Sequence, residues 1–214
     1  MRLLLDLDNT LVDRDAAFSR WAAEAISAAG GGAAQVQRLL AADAHGYAPR
    51  AQVLPVLREV LRAEELDDAA LREMLMMDHV AQVRPAPGVL EQLARARRRG
   101  IGLIAVTNGT SAQQRAKIDR TGLAPLLDRV VISEEVGVAK PDEAIFRIAL
   151  EGLVPDAGTW MLGDHARSDI GGGRGAGLRA GWVAHGRSWD PADGPLPDAV
   201  APSCAELLAR VIDA

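Results

Sequence analysis

The sequence predicts an α/β protein: a doubly wound parallel sheet, interrupted once near its start by an all-helical insert. Three observations carry that expectation. From position 89 onward short apolar runs alternate with helical stretches, the pattern of strand–helix–strand units. Residues 15–84 show helical periodicity and no convincing strand. The apolar runs end in Asp, Thr or Asn, at the sheet edge where such folds gather their chemistry.

The elements follow in order. Residues 2–7 (R-L-L-L-D-L) read as a short buried strand ending in two carboxylates. In the insert, Phe18, Trp21, Ala22, Ala25 and Ile26 share one helical face, and Val53, Val56, Leu57, Val60 and Leu61 share another. Gly30–Gly32 and the Gly46–Pro49 region break the helices, and Pro85-Ala86-Pro87-Gly88 closes the insert. A helix over 89–99 stops at Gly100, and strand 101–107 follows. Helix 111–121, strand 129–133, helix 142–150, strand 159–162, helix 168–176 and strand 179–185 complete the alternation. Residues 190–202 read as a Pro/Asp-rich loop. The expected division is a core of residues 1–14 and 85–214 and a helical cap over 15–84.

At 214 residues, 49% of them hydrophobic, the chain is long enough for a sizeable core. A net charge of −5 and a pI near 5.4 offer no broad basic surface for nucleic acid. Asp6 and Asp8 break the Leu3–Leu5 run before it could act as a signal-peptide core, and no stretch reaches the ~18 apolar residues a membrane helix needs. The single Cys204 allows no internal disulfide. A cytoplasmic enzyme, monomeric or homodimeric, with no nucleic-acid or membrane partner is the expectation. Only two of the 24 basic residues are lysines, Lys117 and Lys140. A chain this rich in Arg is expected to keep Lys where a compact, flexible ammonium is needed.

The polar strand ends converge. The first strand supplies Asp6 and Asp8, the second Thr107 and Asn108, and the fourth Asp164, while Lys140 opens the helix after the third. On an extended backbone Asp6 and Asp8 point to the same side, and two carboxylates that close repel unless a cation or a shared proton lies between them. Asp164 and Asp169 add negative charge. An oxygen-only set without a His or Cys cluster suits a hard ion such as Mg²⁺. With Thr107 donating and Lys140 balancing charge, such a site favours a phosphate group beside the metal.

D-L-D-N-T at 6–10, V-T-N-G at 106–109, V-A-K-P-D at 138–142 and G-D-H-A-R-S-D at 163–169 resemble, in order, the four motifs of the haloacid dehalogenase superfamily. The helical insert after the first motif is similar to that family's C1 cap. The resemblance implies a Mg²⁺-dependent phosphomonoester hydrolase with a Rossmann-like core. Asp6 would attack phosphorus and form an aspartyl-phosphate, and Asp8 would act as general acid and then base. The metal would be held by Asp6, the Asp8 carbonyl and Asp164, with Asp169 positioning Lys140 or metal-bound water. Thr107, Asn108, Gly109 and Lys140 would bind phosphoryl oxygens.

The substrate expected is a small-molecule phosphate ester, with a lean to nucleotide or sugar phosphates because a small helical cap suits a modest leaving group. Arg14, His45, Tyr47 and Arg50 in and beside the insert are candidates for substrate contact. His165 and His185 are expected on loops at the site rim, and the four tryptophans in packing roles. A 2-haloacid dehalogenase of the same superfamily would lack Asp8, and a phosphonoacetaldehyde hydrolase would need a cap lysine that residues 14–84 do not contain. A phosphomutase would share all four motifs. A phospho-accepting switch would lack the long insert after the first strand. The Gly-rich runs at 100–105 and 175–180 precede strands, so they read as turns and not as dinucleotide-binding loops.

Overall fold

The computed structural model of the chain describes residues 1–213. Six strands form one sheet: β1 (Arg2–Leu5), β2 (Gly102–Thr107), β3 (Arg129–Ile132), β4 (Thr159–Gly163), β5 (Arg179–Val183) and β6 (Ala199–Ala201). Their order is β3-β2-β1-β4-β5-β6, and every pairing among them is parallel. The helices are α1 (Arg14–Ala28), α2 (Ala33–Asp43), α3 (Arg50–Leu61), α4 (Asp68–Met77), α5 (Val89–Arg98), α6 (Ser111–Arg120), α7 (Ser133–Val136), α8 (Glu143–Ala149), α9 (Gly172–Gly175) and α10 (Cys204–Asp213). The chain divides into two compact units, Met1–Val12 with Pro85–Ala214, and Asp13–Arg84.

In the first unit β1 is central, so Leu3, Leu4 and Leu5 are all fully buried, each contributing on the order of 2 kcal/mol. Leu4, Ile104, Val106 and Met161 line one face of the sheet and pack on Ile145, Phe146 and Ala149 of α8. Leu162, one residue on from Met161, points the other way, where Leu207 of α10 lies close to Gly181. From β1 the chain builds out to β2 and β3, then returns to add β4, β5 and β6 on the other side. The reversal lies between β1 and β4, and the register pairs Leu5 with both Ala105 and Leu162. The residues just beyond these three strands therefore emerge side by side.

Two readings change here. The first strand ends at Leu5, short of the expected residue 7, so Asp6 and Asp8 lie just beyond it, Asp6 still bonded to Leu162 O and Asp8 in an isolated bridge with Val12. The stretch read as a loop over 190–202 contains β6, whose Ala199 pairs with Gly181. A three-residue edge strand, half exposed and flanked by Pro197 and Pro202, carries no periodicity that a sequence could show.

The second unit is helical, α1 to α4 enclosing Phe18, Trp21, Ile26, Leu39, Leu57, Leu71 and Leu75. Asp13 and Asp67 cap α1 and α4, their side chains accepting from Ala16 N and Ala70 N. Gly30–Gly32 separates α1 from α2, and Gly46–Pro49 separates α2 from α3. Arg14 opens α1 and belongs to this unit. Among the described residues no helix is long and apolar enough to cross a membrane.

Candidate active site

Asp6 leaves β1 with its N–H donating to Leu162 O at 2.9 Å, which ties the first strand's end to the fourth. Its carboxylate meets Lys140, whose Nζ lies 2.6 Å from Asp6 Oδ1, 2.7 Å from Asp169 Oδ1 and 2.7 Å from Val106 O. The Lys140 ammonium donates to Asp6 Oδ1 and Val106 O and pairs as an ion with Asp169 Oδ1. Burial pushes the Asp6 carboxyl up to about 7, opposed by Lys140 and reinforced by Asp169. Burial disfavours the charge on Lys140, but the carboxylates of Asp169 and Asp6 outweigh it and hold that ammonium above the usual lysine value.

Asn108 fixes Lys140 in place. Its Oδ1 accepts from Lys140 N and its Nδ2 donates to Lys140 O, both at 2.9 Å. Asn108, expected among the phosphate-binding residues, thus has its side-chain amide committed to the lysine backbone. The Gly109 N–H, likewise expected to face phosphate, donates to Ser133 Oγ at 3.0 Å. Thr107 is buried, with Oγ1 accepting from Gln114 Nε2 at 2.6 Å.

Asp169 reaches the site from a π-helical turn over 166–171, with His165 N donating to its Oδ2 at 3.0 Å. Gly163 makes that approach possible, since a Cβ there would lie 2.2 Å from Asp169 Oδ2. The backbone carbonyl of Asp164 accepts from Trp182 Nε1 at 2.9 Å and from Arg187 Nη2 at 2.8 Å. Trp182 is therefore packed, as expected, and also braces the acidic loop. His165 caps its own turn by accepting from Arg167 N and Ser168 N, and His185 Nε2 holds the Asn9 carbonyl at 2.6 Å. A carbonyl only accepts, so Nε2 carries the proton there.

Asp6, Asp164 and Asp169 are all buried, and one carboxylate oxygen from each lies within 4.8 Å of the others. The set is all oxygen, and its three carboxyl groups outnumber the cationic groups of Lys140 and of Arg187, which sits 3.4 Å from Asp164 Oδ2. A hard divalent cation such as Mg²⁺ fits that chemistry.

The Asp8 carboxylate meets the chain's other lysine: Lys117 Nζ is 2.7 Å from both Asp8 oxygens, and Gln114 Nε2 is 3.0 Å from Oδ2. Neither Lys117 nor Gln114 was singled out as a site residue from sequence. The available signal was the rarity of lysine together with the i, i+3 spacing that puts both on one face of α6.

Within the helical unit, Arg14 and Arg50 converge on the buried Asp43, with Arg14 Nη2 2.7 Å and Arg50 Nη1 3.0 Å from Oδ1, while Gly46 N donates to Oδ2. Burial disfavours the Asp43 charge, but the two guanidiniums and that N–H outweigh it and keep the carboxyl below its usual range. His45 pairs with Asp15, and Tyr47 is exposed with its ring 6.2 Å from that of His45.

Comparison with known proteins bears on what this geometry belongs to. A family model described as haloacid dehalogenase-like hydrolase matches residues 2–177. Over 137 residues the chain is 42% identical to phosphoserine phosphatase of Thermus thermophilus, covering 63% of this chain and 52% of that protein. Over 123 residues it is 45% identical to the pyrimidine 5'-nucleotidase YjjG of Escherichia coli, covering 56% and 51%. The chain thus spans about half the length of these curated relatives. The fold is similar to that of the HAD-hydrolase YfnB from Bacillus subtilis, solved with magnesium, at a TM-score of 0.75 and 22% identity over 98% of this chain and 97% of that one. On the extent of the family match, the chain belongs to the haloacid dehalogenase-like hydrolases.

Proposed function

We propose that the chain is a Mg²⁺-dependent phosphomonoester hydrolase working through a covalent phosphoaspartate at Asp6. The observation that carries this is the placement of Lys140 against Asp6 and Asp169, with Asp164 alongside, at the carboxyl ends of adjacent parallel strands. Similarity to a phosphoserine phosphatase and a pyrimidine 5'-nucleotidase supports the reaction class.

Asp6, Asp164 and the Asp8 carbonyl would hold Mg²⁺, with Asp169 beside them. Bound there, the ion supplies the positive charge that lets a phosphoryl dianion enter a carboxylate-rich site. An Asp6 oxygen attacks phosphorus, and the bond from phosphorus to the ester oxygen breaks. Asp8 gives its proton to that departing oxygen, then takes one from the water that attacks the phosphoaspartate, releasing phosphate and restoring Asp6. Lys140 orients Asp6 and offsets charge on the phosphoryl oxygens, and the Thr107 hydroxyl donates to one of them. The proposed substrates are small phosphate esters, with a lean to the nucleotide or sugar class.

The test is phosphate release from a panel of nucleotides, sugar phosphates and phosphoserine, with Mg²⁺, with EDTA, and with Asp6→Asn. Turnover that needs the metal and vanishes in Asp6→Asn is expected. No release from folded, Mg²⁺-loaded protein, or release that survives Asp6→Asn, would overturn the proposal.

A further inference from the structure

Lys117 is an unusual residue to bury. Its side chain is 2% exposed, and an ammonium removed from water is strongly destabilising unless its protons are taken up. Here they are: Asp8 Oδ1 and Oδ2 lie 2.7 Å away and Gln114 Oε1 lies 2.9 Å away. The Gln114 oxygen faces an obligate donor, which forces its amide nitrogen towards Asp8 Oδ2 at 3.0 Å and Thr107 Oγ1 at 2.6 Å. One glutamine thereby links the carboxylate of Asp8 to the hydroxyl of Thr107. Because Thr107 Oγ1 accepts from Gln114, its own O–H is left to donate, here over a long 3.4 Å to the Asn108 carbonyl.

The geometry points to Lys117 and Gln114 as positioning residues that fix the orientation of the Asp8 carboxyl and the donor direction of Thr107, an inference that rests on the phosphomonoesterase reading. Both lie on α6, one turn apart, so a single helix holds a residue proposed to move protons and one proposed to bind phosphate in fixed relation. Of the chain's two lysines, one contacts Asp6 and the other Asp8. A guanidinium's wide planar fork does not replace a compact ammonium centred between both Asp8 oxygens and an amide oxygen. Lys117 itself needs no contact with substrate for this role.

The experiment compares kcat/KM for two substrates that differ in their need for a proton. An alkyl phosphate must have its leaving oxygen protonated, whereas p-nitrophenyl phosphate expels a stable phenolate. For Lys117→Met we expect kcat/KM to fall about 100-fold on the alkyl ester and less than about 5-fold on p-nitrophenyl phosphate. Gln114→Leu should show the same selective loss, smaller in size, and serves if Lys117→Met does not fold. Equal losses on both substrates, or none, would overturn the inference while leaving the phosphatase reading standing. A wild-type protein that turns over neither ester would instead sink the phosphatase reading. The positioning claim is then decided by the crystal structures of wild type and variant. A reoriented Asp8 carboxyl in the variant supports the claim, and an unchanged one refutes it.

Discussion

Asn108 grips the backbone of Lys140 with both ends of its amide, accepting from the N–H and donating to the carbonyl at 2.9 Å each. The two residues are 32 positions apart, and this pair joins the end of β2 to the lysine that neutralises Asp6.

Replacing Asn108 with Ala should therefore cost stability as well as rate. Two hydrogen bonds at a partly buried position are worth about 1–3 kcal/mol, and a displaced ammonium should lower kcat by about 10-fold or more. Asn108→Asp keeps the acceptor for Lys140 N but sets a carboxylate against a carbonyl, so it should be no better than Ala. Urea unfolding midpoints and phosphate-release rates on the same preparations check both statements.

Gly163→Ala tests a close approach. The new methyl would lie 2.2 Å from Asp169 Oδ2 and 2.4 Å from its Cγ, so Asp169 must shift from the position in which it meets Lys140 at 2.7 Å. Destabilisation of about 1–3 kcal/mol is expected, with phosphate release falling well below that of the wild type. A thermal melt and an assay at matched folded fraction separate the two effects.

The acidic cluster predicts a metal-linked stability. Three buried carboxylates within 4.8 Å should be relieved by a divalent ion, so millimolar Mg²⁺ should raise the melting temperature and EDTA should remove the gain. Asp164→Asn should abolish most of that shift. A melting temperature indifferent to Mg²⁺ in the wild type would contradict the cluster's assignment as a cation site.

In the helical unit, Asp43 stabilises two guanidiniums as an ionised group. Its folded-state pKa is depressed, so its contribution is present above the unfolded value near 3.9 and is lost as pH falls through the lower folded value. At pH 7 Asp43→Asn should be destabilised by about 2–4 kcal/mol, because the buried Arg14 loses the Asp43 carboxylate and keeps the longer contact with Asp15 at 3.3 Å. The gap between variant and wild type should close progressively below about pH 4. Denaturant titrations at pH 7, 4.5 and 3 measure it directly.

Much of this protein's architecture is legible in its sequence. Apolar runs too short for helices, punctuated by Gly and Pro, announced the central strands, because a strand buried on both faces has little choice but Leu, Val and Ile. The convergence of Asp6, Lys140, Asp164 and Asp169 is legible because four motifs in order are a far stronger signal than any single residue. What stayed hidden depended on contacts between distant segments. β6 exists only because β5 offers it a free edge, and nothing in Ala199–Ala201 announces a strand. Asn108 and Gly109 carry the residue types of a phosphate-binding loop, yet Lys140 and Ser133 take up their polar groups.

Lys117 marks the division most clearly. Its sequence position says only that a scarce residue lies on a helix face with Gln114. Tertiary packing sets that face against Asp8, and a buried ammonium is then obliged to spend its hydrogen bonds on whatever oxygens lie there. Sequence determines which groups the chain owns and which strand end each one follows. The fold decides which of them touch, because pairing between charges depends on separations of a few ångströms that sequence spacing does not encode.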